Sequence, residues 1–199
     1  HLHRGRAFVM LSHNAGGGTE KHIQDLTARL SNENVTAYRL SPDPEHASKL
    51  RLWHEQAEDC PNLIFDMDRE FDSLVSCLRT LDISHLHIHH LLGFPQRMTS
   101  LIERLRDVMQ WTYDVTIHDY YFVCPSINLI FDAGYYECDP TLAESERWAQ
   151  HHPTAAGRTP VWQWRQRHAR LLREARRVFA PSEDTAARMR HYYPEAPVV

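Results

Sequence analysis

Short apolar runs recur along the chain at intervals that suit buried strands: Ala7 to Leu11, Val35 to Leu40, Asn62 to Phe65, Ile83 to His89, Asp114 to Ile117 and Val178 to Ala180. Stretches of helical period separate most of them. Ile23, Leu26, Thr27 and Leu30 fall on one helix face, and Ser31-Asn32-Glu33-Asn34 ends that pattern. Phe71, Leu74, Val75, Leu78 and Leu81 form a second stripe, with Asp66 or Asp68 as candidate N-caps. Met98, Leu101, Ile102, Leu105 and Val108 form a third, opened by Pro95. Strands alternating with helices require crossover connections. They predict an α/β fold of the Rossmann-like, doubly wound kind: a mainly parallel sheet with helices on both faces, built by residues 1–199 as a single domain.

The rhythm lapses from Val123 to Pro160, a stretch with aromatic, Pro and Gly residues. It reads either as a long insertion over a ligand crevice or as an irregular packed excursion. From Val161 to Arg177 a helix sets Trp164, His168, Leu171, Leu172 and Ala175 on one face and Arg165, Arg167, Arg170, Arg173, Arg176 and Arg177 elsewhere. Such a basic face is either solvated or suited to peripheral contact with anionic lipid. A short strand, a turn and a helix capped by Ser182 or Asp184 follow, the helix running through Met189 to about Tyr193. Tyr193 to Val199 then resembles the opening of a further strand.

Composition narrows the class. The chain has 199 residues, 42% hydrophobic and 24% charged, with a net charge of −4, enough for a sizeable core. The acidic balance argues against general nucleic-acid binding. No uninterrupted apolar stretch spans a bilayer and the first residues lack a signal-peptide core, so a cytoplasmic protein is expected, with peripheral attachment at the inner membrane face left open. Four cysteines, Cys60, Cys77, Cys124 and Cys138, show no C-x-x-C spacing and are expected as free thiols.

The chemistry concentrates at predicted strand ends. Gly16-Gly17-Gly18-Thr19-Glu20 lies between the first strand and the first helix. Glycines there allow positive φ and close approach of a ligand, and the amides of a helix N-terminus attract anions. The run matches neither the P-loop nor G-x-G-x-x-G, and a tight turn without a ligand is the plain alternative. Ligands of parallel sheets bind beyond the C-terminal strand ends. By that rule the glycine loop, His89-His90 after the fourth strand and His118-Asp119-Tyr120-Tyr121 after the fifth are expected in one crevice. Fifteen histidines are present, and in His85-Leu86-His87-Ile88-His89-His90 alternation sets His85, His87 and His89 on one strand face. Residues two apart on a strand could share a metal, but no carboxylate or H-E-x-x-H spacing accompanies them, and no metal is expected.

In order, these pieces resemble the N-terminal domain of a family 4 glycosyltransferase, a retaining, sugar-nucleotide-dependent enzyme of GT-B fold. The matching marks are Gly17-Gly18-Thr19-Glu20-Lys21-His22, the strand Ile83 to His90, Thr116-Ile117-His118-Asp119-Tyr120-Tyr121, and Phe179-Ala180-Pro181-Ser182. A subset of bacterial members is also similar across His118 to Ile130. The resemblance implies that Gly17, Gly18 and Thr19 bind the donor diphosphate, and that His118 faces the donor sugar, with Asp119 orienting His118 or its loop. It places His89, His90, Tyr120 and Asn128 on the acceptor side. Glu20 is expected as a cap on backbone donors at the helix N-terminus.

The same resemblance implies a nucleotide-sugar donor as substrate, no cofactor, a glycan or lipid-linked acceptor, and polysaccharide biosynthesis as the setting. It assigns most nucleotide binding, with an E-x7-E motif, to a C-terminal domain that these 199 residues lack. The expectation is that they transfer no sugar alone, and that Arg4-Gly5-Arg6 belongs to a truncated or added start. A non-catalytic phosphate- or nucleotide-binding module is the alternative function.

Overall fold

The computed structural model describes residues 6–13, 15–46, 48–54, 63–95, 97–129, 141–151 and 159–199. The chain forms two compact units, His1–Thr116 and Ile117–Val199. The protein is α/β, and its sheet is mostly parallel.

In the first unit the strands lie in the order β4-β3-β2-β1-β5-β6. These are β1 (Ala7–Leu11), β2 (Thr36–Pro42), β3 (Lys49–Trp53), β4 (Ile64–Asp66), β5 (Ile83–Ile88) and β6 (Tyr113–Thr116). β2, β1, β5 and β6 are parallel neighbours, with Leu11 opposite both Leu40 and Ile88. β3 and β4 turn back antiparallel. The parallel part follows from the expected strands, with ends shifted by a residue or two. Val35, for instance, stays outside β2 because its N–H donates to the Leu30 carbonyl at the end of the first helix (2.9 Å). β3 was not expected, although Lys49–Trp53 alternates half-buried and buried residues as a one-sided strand does. Of the third expected run, Asn62 lies outside the described residues.

α1 (Gly18–Asn32) seats Ile23 on Met10 of β1 and Ala37 of β2, with Leu26 and Leu30 beside them. α2 (Phe71–Thr80) buries Phe71, Leu74, Val75 and Leu78. Neither Asp66 nor Asp68 caps it. Glu70 holds the N-cap position, and Asp66 instead accepts the Asp68 amide (2.9 Å) in the preceding turn. α3 (Met98–Met109) buries Met98, Leu101, Ile102 and Leu105, whereas Val108 at its end is exposed.

In the second unit α4 (Leu142–His151), α5 (Val161–Arg173) and α6 (Glu183–Tyr192) accompany the short β7 (Arg177–Phe179). α4 supplies regular structure inside the stretch read as irregular. Thr141 and Glu144 form a capping box: the Glu144 amide donates to Thr141 Oγ1 (3.2 Å) and the Thr141 amide to Glu144 Oε2 (2.8 Å). Those bonds hold the Glu144 carboxyl below its ordinary pKa. Ser182 caps α6, its Oγ accepting from the Thr185 amide (3.2 Å). The closing segment lies along β7, where Val198 bridges Val178 in parallel. Cys77 and Cys124 are free thiols; Cys60 and Cys138 lie outside the described residues, as do Arg4, Gly5 and residues 130–140 and 152–158. Among the described residues no helix is long and apolar enough to cross a membrane.

Candidate functional site

β1 and β5 are hydrogen-bonded neighbours, so the chain leaves both at one sheet edge. There the His89 amide donates to the Leu11 carbonyl at 2.8 Å. The strand ends thus bring Gly16-Gly17-Gly18, His89 and His90 together, residues that lie far apart in the sequence.

The loop glycines differ in what they do. Gly16 and Gly17 have φ of 74° and 81°, a left-handed backbone that costs a residue with a Cβ about 1–2 kcal/mol. Gly18 opens α1 with no such angle, and a Cβ on it would meet nothing within 4 Å. The fold therefore requires glycine at 16 and 17 and gives no steric reason for one at 18. Open space beside Gly18 is also space for a ligand to approach the backbone. Among the described residues no side chain caps α1 at Gly17, so the amides of its first turn point out of the helix N-terminus. Thr19 is buried.

Glu20 does not cap the helix. Its two carboxylate oxygens accept from Arg39 Nη1 of β2 at 2.8 and 2.7 Å. The Arg39 side chain is 3% exposed and its guanidinium lies 4.8 Å from the Trp53 ring. The pair neutralises a buried cation and pins the first turn of α1 to the sheet.

The histidines of β5 share one face, as alternation requires, and most are occupied. His85 lies 3.1 Å from Asp114 of β6, and His87 Nε2 lies 2.8 Å from Thr116 Oγ1. His87 and His89 stack with centroids 4.3 Å apart and planes at 22°. Stacking sends the in-plane lone pairs of His87 and His89 side by side rather than towards one point, whereas His85 meets His87 edge to face at 74°. His90 accepts the Leu92 amide on Nδ1 (3.0 Å), and His13 accepts the Ala15 amide on Nδ1 (3.0 Å). Each ring therefore carries its proton on Nε2 and presents an N–H donor. The His13 and His90 rings meet edge to face at 4.7 Å. His13 was not expected at the site from the sequence, although it lies two residues beyond β1 on the way to the glycines.

The second unit carries His118, Asp119, Tyr120 and Asn128 on one tight loop. The Tyr120 amide donates to the Ile127 carbonyl at 2.8 Å, and the Asp119 carboxylate accepts the Tyr121 amide at 2.8 Å. Asp119 thus shapes the loop beside His118. Both are half-buried, and Asn128 is exposed. α5 and α6 clamp the loop: Trp164 Nε1 donates to the Tyr121 carbonyl (2.7 Å), Arg165 Nε to that of Val123 (3.0 Å), and the Tyr193 hydroxyl to that of Phe122. Beneath it His168 is fully buried against Tyr121, Phe122 and Trp164. Burial, helped by Arg167, pushes its imidazole down to about 3, with only weak opposition from the Phe122 and Trp164 carbonyls. It is a neutral core residue. Burial also raises the Tyr121 hydroxyl.

Fold and loop define an α/β protein with a glycine-lined strand-to-helix turn at the end of a mostly parallel sheet. No known protein-family model and no curated protein matches the chain.

Proposed function

We propose that this chain is the acceptor-side domain of a retaining glycosyltransferase, doubly wound in architecture, that uses a nucleotide-sugar as donor substrate and a glycan or lipid-linked hydroxyl as acceptor. The observation that carries the reading is Gly18. Protein packing and backbone angle leave a glycine there unexplained, whereas close approach of a diphosphate to the amides of Gly17, Gly18 and Thr19 explains it. Negative charge on the diphosphate grows as the glycosidic bond breaks, so oriented amides at that position favour the transition state over the ground state. His118, with its loop fixed by Asp119, is the residue proposed to meet the donor sugar and support an oxocarbenium-like transition state. His89, His90, Tyr120 and Asn128 are proposed to contact the acceptor. The reaction on this reading needs no cofactor, and its setting is a cytoplasmic one, with peripheral contact at the membrane.

The test is calorimetric titration of the chain and its Gly18→Ala variant with UDP-, GDP- and TDP-sugars. One donor is expected to bind, and G18A to weaken it about ten- to a hundredfold, the worth of a hydrogen bond to a charged group. Unaltered affinity in G18A overturns the assignment of the loop. Equal affinity for a nucleotide diphosphate with and without its sugar favours a phosphate-binding module over a transferase.

A further inference from the structure

We propose that His22 and His89 form a binding site for a divalent transition-metal ion, of which zinc is the probe of choice. His22 lies one turn into α1 and His89 just beyond β5. A ring nitrogen of one comes within 4.8 Å of a ring nitrogen of the other, and the rings are tilted by 55° with centroids 5.5 Å apart. Metal–nitrogen bonds of about 2.0–2.1 Å place two imidazole ligands at most about 4.2 Å apart. A small rotation of the exposed His22 ring closes that difference.

The two ligands differ usefully in rigidity. His89 is wholly buried, its backbone is tied to Leu11, and its ring lies flat on His87, itself bonded to Thr116. One ligand is therefore held in place by a packed neighbour, as outer-shell partners hold metal-binding imidazoles. The other sits on the helix surface and adjusts, leaving further coordination positions for water or an anion. Nearby histidines are less suited: the Nδ1 atoms of His13 and His90 accept backbone amides, and His85 faces Asp114. A nitrogen pair favours zinc, nickel or copper, while magnesium and calcium need oxygen ligands. The proposal does not depend on glycosyl transfer.

Zinc is titrated into the untagged chain in competition with a chromophoric chelator, with His22→Gln, His89→Gln and, as a control distant in sequence, His191→Ala. One zinc per chain is expected, with binding weakened more than about tenfold in H22Q and H89Q, since even outer-shell partners are worth that much, and unchanged in H191A. Copper(II) paramagnetic resonance should show nitrogen hyperfine structure from one imidazole fewer in H22Q than in the wild type. Because His22 is exposed, H22Q is expected to fold, as its circular dichroism will verify, even if H89Q does not. Wild-type zinc affinity in folded H22Q, or an equal loss in H191A, overturns the site.

Discussion

At the scale of single residues, the glycine loop separates requirements that look identical in sequence. Gly17→Ala should destabilise the protein by about 1–2 kcal/mol because φ is 81° there, while Gly18→Ala should leave stability unchanged or raise it by up to about 1 kcal/mol. Urea unfolding of the two variants checks this, and an equal loss in both removes the distinction on which the ligand reading stands. His168 gives a pH prediction. Its folded-state value is about 3 against an ordinary 6.5, so the unfolded chain binds the extra proton. Stability is complete above pH 6.5 and falls as pH drops towards 3, at about 1.4 kcal/mol per unit. Replacing His168 by Leu should flatten that acid slope in denaturation curves recorded from pH 7 to pH 4.

At the scale of elements, start and stop signals proved as informative as hydrophobic stripes. Ser182 was legible as a cap, and Ser182→Ala should cost about 1 kcal/mol, read as a lower denaturation midpoint. The Thr141-x-x-Glu144 box is an equally local signal, and it opens a helix inside a stretch whose aromatic, Pro and Gly content predicts irregular structure. Glu20 was legible only as a candidate cap. Its real partner, Arg39, stands on the next strand, and only folding brings the two together. Glu20→Gln should therefore cost about 1.5–3 kcal/mol, the worth of hydrogen bonds between charged groups, by removing the negative charge that accepts from the 3%-exposed Arg39 side chain. A change within error in the urea midpoint would place Glu20 among ordinary surface carboxylates.

At the scale of the whole molecule, the proposed reading predicts that the donor stabilises the folded chain: a nucleotide-sugar present at about a hundred times its dissociation constant should add about 2.7 kcal/mol to unfolding, read as a higher urea midpoint. An unchanged midpoint with every donor tried would overturn the nucleotide-sugar reading. The sequence by itself determined the parallel strands β1, β2, β5 and β6, the helices between them and the place of the glycines, because period, capping and positive φ are properties of neighbours along the chain. Only the tertiary structure decided the antiparallel return of β3 and β4, the Glu20–Arg39 pair and the meeting of His22 with His89. Each of these depends on which distant segments a crossover lays side by side and in which register, and no local pattern encodes that.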